Sequence, residues 1–476
     1  MEGFLTYDTR GFPQGLNWSK NAESIASTEL SEAENCEYDY AAGYLRTVEG
    51  ISIILDVGKS VDSLFYDKYH NVFYYSSGVN LYVTSDFKTS SMLGTLTGIN
   101  KPVYVMYNDI CIVASGAKLQ AVSGGSTLQT ISGSKDKNDY ITTRVGRALA
   151  YSTSDDYLYY SAIGDYTAWT NDSSDTSSAQ FIKVGYKDAG HIVAVDFLSK
   201  VIMVYKENGR AYKVVGEPQD SYYAVEPVSQ TAFCGSTRAV VDVGDKAYYL
   251  GNAGFMSFVP TNDYGDIEPF DEGVNINQWL INNLDSNCQV WHIIPKKQIW
   301  IKTQNDKRVY IYHYVPCYSD GRGPFTIRTF SNQVNDVCCV DKKVYIAYGN
   351  KVGILDGAID TDDNQQIVTV IKSGNRLAQE HFIIVMSRLL VTSNIIAGNG
   401  FITCGKKTQD IILDADSPSI YGNDTVIYND TDNIYADSYT STYKVGGGAN
   451  KSVQIKLQIE KGAIGLRELH YQYLEV

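Results

Sequence analysis

Proline is scarce in this chain of 476 residues, with 10 in all, and methionine and histidine are scarcer at 6 each. Long apolar runs are missing: the longest, such as Phe382 to Met386, fall far short of the roughly 20 residues a membrane span needs. The opening residues lack the basic n-region and apolar stretch of a secretory signal. No C-x-x-C pair occurs among the cysteines at 36, 111, 234, 288, 317, 338, 339 and 404. Zinc sites and disulfide scaffolds need closer spacing, so buried free thiols are expected. These absences predict a soluble protein made in a reducing cytoplasm, with no membrane insertion, metal or other cofactor. Positive charge is also in deficit: 40 Lys and Arg face 54 Asp and Glu, a formal charge of −14. That excludes nucleic-acid binding as a whole-surface property, because such binding requires cations to displace counterions. A local basic patch stays open, since net charge does not report distribution.

What is abundant is tyrosine, 38 residues against 15 Phe and 5 Trp, together with 40 Gly. Tyr suits strands and contact surfaces, where its ring packs and its hydroxyl finds a polar partner. From 46 to 370 the chain reads as apolar or alternating runs of four to eight residues, punctuated by Gly, Asn, Asp and Ser. Several runs form a strand, a Gly or Asn turn, and a second strand. Phe73-Tyr74-Tyr75 leads through Gly78 to Leu81-Tyr82-Val83, and Val201 to Val204 through Gly209 to Ala211 to Val214. Tyr248 to Leu250 leads through Gly254 to Phe255 to Phe258, and Val344 to Ile346 through Asn350 to Val352 to Ile354. Such spacing predicts a β-propeller, and the stretch divided by about 45 residues per blade gives about seven blades. Stacked sandwiches would also present short strands.

An apolar stripe of Ile276, Trp279, Leu280 and Leu284 predicts one short helix between blades. Residues 358 to 376 read as a polar hinge. From 377 to 476 a separate β-sandwich-like domain is expected, in which Val453, Ile455, Leu457 and Ile459 face one side and a turn at Lys461-Gly462-Ala463 opens a hairpin. Residues 1 to 45 carry too few apolar positions for a core and read as an extended N-terminal arm over the rest of the chain or a neighbour. The all-β architecture is therefore arm, propeller, sandwich.

Motifs that would carry chemistry are incomplete. Gly400 to Lys406 fits most of a G-x-x-x-x-G-K phosphate loop, but Lys407 replaces the hydroxyl residue and no helix follows, so strand and turn are preferred. Asp360 to Asn364 imitates the start of a calcium loop whose sixth and twelfth positions hold Gln365 and Ile371 instead of Gly and Glu, so solvated linker is preferred. The histidines are dispersed, and no nucleophile elbow occurs. Ser161 to Trp169 has the composition of a sialidase-type Asp box with Asp165 and Gly164 misplaced, and it does not recur.

The order of several weak motifs resembles a known group. Gly15-Leu16-Asn17, Ile25, Leu30, Asn35 and Gly43-Tyr44-Leu45-Arg46 are similar to the opening of phage neck and tail proteins. Arg147-Ala148-Leu149 followed by Tyr159 to Asp165 and Trp169, Phe270 to Gly273 before the helix, and Lys444-Val445-Gly446 before the last strands continue the likeness. The family is that of packaged-DNA stabilisation (head-completion) propeller proteins of short-tailed phages. The resemblance implies a virion structural protein, not an enzyme, made in the host cytoplasm. It implies a homo-oligomeric, typically sixfold ring below portal and adaptor, extending the DNA channel and helping retain the genome. The motif positions Leu16, Asn17, Ile25, Leu30, Asn35, Leu45 and Arg46 would anchor the arm to the propeller or to an adjacent subunit. An acidic subunit repeated about an axis would let DNA slide past unbound. Two other readings are a receptor- or glycan-binding tail protein with Tyr-rich loops and a sialidase-like hydrolase.

Overall fold

The computed structural model describes residues 5–8, 11–41, 43–199, 201–218, 223–261, 266–315, 317–377, 384–414, 439–443 and 452–475. They form two compact units. The first comprises Met1–Ser52, Arg308–Ser331 and Asp356–Val476, and the second Ile53–Lys307 and Asn332–Leu355.

The second unit is a β-propeller, built by turn residues that fold each apolar run back on itself. Gly78 and Asn108 hold φ of 58° and 55°, a left-handed conformation that Gly and Asn adopt at low cost. They close the hairpins Val72–Ser77/Asn80–Thr84 and Val103–Tyr107/Ile110–Ala114. Blade one runs Ser63–Asp67, Val72–Ser77, Asn80–Thr84, Ser91–Thr95; blade two starts at Val103–Tyr107, blade three at Tyr140–Arg144, blade four at Ile192–Leu198 and blade five at Val240–Val243. Each of these five is a four-stranded antiparallel meander in chain order. In this unit blade six contributes the hairpin Gln289–Ile293/Gln298–Lys302. Blade seven consists of Val334–Val340, Lys343–Tyr348 and Lys351–Asp356, and the early strand Gly50–Asp56 lies beside the last of these. The described residues of this unit thus contribute strands to seven blades, and the four hairpins expected from sequence fall on the middle strands of blades one, four, five and seven.

Apolar clusters fill the wedges between successive blades. Tyr74 and Leu81 of blade one meet Cys111 and Val113 of blade two. Tyr205 of blade four meets Tyr249 and Phe258 of blade five, with the two Tyr rings 5.1 Å apart. Leu64, Phe73 and Tyr75 meet Ala347 and Val352, which packs blade seven on blade one and closes the ring. Aromatic pairs of this kind add ~0.5–1.5 kcal/mol beyond area burial. The tyrosine excess therefore has an interior use: Tyr74, Tyr75, Tyr151, Tyr160, Tyr205, Tyr249 and Tyr348 are among the largest fully buried side chains. It does not by itself demand subunit contacts.

The first unit is built mainly on one sheet assembled from distant segments. Its order is Arg308–His313, Phe325–Thr329, Gly15–Leu16, Glu29–Glu34, Thr369–Ser373, Ile455–Glu475, Ile384–Cys404 and Lys407–Asp414. The expected boundaries 1–45, 46–370 and 377–476 do not coincide with the units, because the N-terminal strands pair with residues beyond 368. Val453, Ile455, Leu457 and Ile459 are buried as the alternation predicts. The expected turn at Lys461-Gly462-Ala463 is absent: the strand runs through from Ile455 to Glu475. Gly462 instead permits close approach, since a Cβ there would stand 1.8 Å from the Ala397 carbonyl oxygen.

Two local expectations also change. The helix spans only Asn277–Asn282; Ile276 and Leu280 are buried, but Trp279 is 41% exposed. The 358–376 hinge is structured: Thr361–Asp362 and Gln365–Gln366 pair around Asp363 and Asn364, both at positive φ. Asp362 is buried and ion-paired to Arg328 at 2.6 Å, so it is no solvated linker residue.

Candidate functional site

In each blade the first strand begins, and the second ends, at one face of the propeller. Residues at these positions in different blades therefore converge around the axis. Lys101 precedes the first strand of blade two, Arg238 that of blade five, and Asp336 lies in that of blade seven. Lys302 ends the second strand of blade six, opposite Gln289. Together with Ser60, Asp62, Ser286, Asn305 and Asn332 these residues, Asp336 excepted, line a basin of about 660 Å³.

Asp336 organises the floor. Its carboxylate accepts from Leu64 N (3.1 Å), Val337 N (3.1 Å) and Trp291 Nε1 (3.0 Å), and lies 3.4 Å from Lys101 Nζ. Lys101 Nζ also donates to Gln289 Oε1 (2.7 Å) and to the Asn335 carbonyl (2.5 Å). Arg238 Nη2 donates to the carbonyls of Lys101 and Pro102, which ties blade five to blade two. Lys302 Nζ donates to the Val334 carbonyl at 2.9 Å.

Three cations thus crowd one buried carboxylate. Burial lowers Lys101 to about 7, against the pull of Asp336 and with help from Arg238 and Lys302. Burial lowers Lys302 to about 8. The Arg238 guanidinium is lowered for the same reason. Low dielectric disfavours charge that is not fully matched. On the inner strand of blade four, burial and then Asp242 push the Asp196 carboxyl well above the ordinary range; its Oδ2 has no partner among the described residues.

The residues expected to anchor the N-terminal segment all lie in the first unit, held by its sheet. Leu16, Leu30 and Leu45 are fully buried, and Ile25 nearly so. Asn17 Nδ2 donates to Glu29 Oε1 (2.8 Å), and its Oδ1 accepts from Ser19 N (3.0 Å). Asn35, at φ 55°, donates from Nδ2 to the Val368 carbonyl and accepts at Oδ1 from Thr329 N, so one side chain joins three segments. Leu45 and Arg46 stand opposite Leu466 and Gly465, and Arg46 pairs with Glu37 and Glu49, each at 2.9 Å. These side chains are tied to one another's elements and do not converge on a cavity.

The motifs with apparent chemistry have structural uses. Gly405-Lys406 is the tight turn between Ile384–Cys404 and Lys407–Asp414, so a strand and not a helix directly follows it. Asp165 accepts from Thr167 N and Oγ1, which holds its carboxyl below the usual range, while Trp169 is buried beneath the turn. Cys36, Cys111 and Cys288 are buried free thiols. Among the described residues no His, Cys, Asp and Glu cluster suits a metal ion.

Reading for contiguous motifs missed the basin, because its charged residues come from four blades. The signal available was positional: Lys101-Pro102 and Thr237-Arg238 each place a cation just before the first strand of a blade.

No protein-family model matches the chain, and no curated protein is similar to it. Solved structures that resemble it include the WD40 β-propeller domain of Doa1, 11% identical over 65% of this chain and 97% of that one, with a TM-score of 0.42. The N-terminal domain of Nup159 is 10% identical over 68% of this chain and 98% of its own, TM-score 0.42. PorZ, a surface component of the type-IX secretion system of Porphyromonas gingivalis, is 11% identical over 64% of this chain, TM-score 0.41; the match covers 38% of PorZ.

Proposed function

We propose that the chain is a structural subunit of a bacteriophage virion, of the packaged-DNA stabilisation type. In this reading it forms a ring of about six copies at the head-tail neck or tail nozzle, beneath portal and adaptor, and extends the channel through which DNA leaves. The observation that supports it is the order of the family's motifs from Leu16 to Arg46, taken with the use those residues have: every one is buried or paired within the sheet of the first unit.

Mass spectrometry of purified virions, combined with light scattering of the isolated protein in the presence of portal and adaptor, tests the reading. The expected result is a stoichiometric virion protein that assembles on the portal-adaptor complex. Absence from virions, or a monomer indifferent to that complex, would overturn it. A receptor- or glycan-binding role is the second reading, favoured by Tyr186 and Tyr69, which stand 85% and 54% exposed on the propeller. A glycan array probed with the isolated chain separates the two.

A further inference from the structure

We propose that the basin on the propeller axis binds a small ligand through an oxyanion, either a carboxylate or a phosphate. Its charged lining is Lys101, Arg238 and Lys302, from three blades, with Asp62 the one carboxylate among the lining residues. Beneath them Asp336 is already committed: it accepts from three N–H groups and faces Lys101. Lys101 is likewise spent on Gln289, Asn335 and Asp336. Arg238 and Lys302 are not. Among the described residues Arg238 uses Nη2 alone, and Lys302, 1% exposed, uses one of its three N–H groups.

A cation taken out of water without a full set of acceptors is held at a cost, which an incoming oxyanion relieves through charge-assisted hydrogen bonds. The guanidinium fork is suited to a two-oxygen group. The depressed lysines fit this picture, since an anion at the site would restore their charge. Most of the remaining lining is Asn, Gln, Ser and Thr, with Ile99, Pro102 and Cys288 beside them and no aromatic ring, so the body of the ligand would be recognised mainly by hydrogen bonds and not by stacking. The volume of about 660 Å³ admits a ligand of monosaccharide size. The proposal is independent of the virion reading.

Isothermal titration of the full chain with sodium phosphate, sodium glucuronate and, as the neutral control, glucose, all at constant ionic strength, tests it. Saturable binding of either anion but not glucose is expected, and which anion binds tells phosphate from carboxylate recognition. Arg238→Gln should weaken that binding at least tenfold. Ser286 is exposed on the basin rim and makes no side-chain hydrogen bond among the described residues, so Ser286→Glu should keep the wild-type melting temperature while also weakening binding at least tenfold by repulsion. No saturable binding of either anion, or binding equal in the wild type and Ser286→Glu, would overturn the proposal.

Discussion

The two compact units differ in how far along the chain a strand must look for its partner. In the propeller, blades one to five are each complete within a single stretch, every strand hydrogen-bonded to the next. In the other unit Glu29–Glu34 pairs with Thr369–Ser373, and Ile384–Cys404 pairs with Ile455–Glu475. Local pairing is repaid as each hairpin forms, whereas distant pairing must first meet the cost of closing a long loop. The difference shows in the side chains. The propeller depends on repeated apolar wedges, any one of which resembles the others. The distant pairings depend on single residues such as Asn35, Arg328 and Gly462 that join particular segments.

That contrast is open to direct measurement. The largest effect is expected at Arg328, which donates to Asp362 and to the Glu49 carbonyl while almost fully buried. Arg328→Met should destabilise by about 3–5 kcal/mol, because it strands a buried carboxylate, whereas the double change Arg328→Met/Asp362→Leu should recover most of that loss. Urea midpoints decide it, and a double variant as unstable as the single one would show that the pair is not the junction described. Next, Gly462→Ala should cost roughly 3 kcal/mol, from left-handed strain and the clash with Ala397. Hydrogen exchange along 455–475 should accelerate accordingly.

Within the propeller, pH provides a test at Asp196. Its folded carboxyl lies above its unfolded value near 4, so its contribution to stability is fully present below that value and is lost as pH rises through the folded one. Asp196→Asn should flatten this decline in urea midpoints between pH 4 and 8; superimposable profiles would refute the burial argument. The smallest effect is expected at Gly78, where a Cβ would meet nothing within 4 Å and only the left-handed φ is at issue. Gly78→Ala should cost about 1 kcal/mol. If it proves as damaging as Gly462→Ala, the supposed difference in tolerance between the units fails.

The same contrast explains what could be read from the sequence. Val72 to Thr84 or Lys246 to Pro260 carry their own turn residue and their own alternation, so hairpins and the blade repeat were legible. Nothing around Leu30 names Ser373 as its partner, and nothing near Gly462 separates a turn from a close crossing of two long strands. The N-terminal segment therefore read as an arm and the last hundred residues as a domain apart. The basin was hidden for a related reason: Lys101, Arg238, Lys302 and Asp336 are ordinary strand-end residues until the ring brings them together.

Ring closure sets a clock on biosynthesis. Gly50–Asp56 is made early, yet the strand it lies beside in blade seven, Lys351–Asp356, comes some 300 residues later. At about 5–20 residues per second, on the order of 15–60 s pass before the ribosome delivers it. Until then both ends of the growing propeller carry unpaired β edges, the kind of surface on which strands from other chains can add. A slowed or stalled ribosome in the 300s would therefore leave a nearly complete propeller in its most adhesive form, and crowding on a polysome would bring several such edges together.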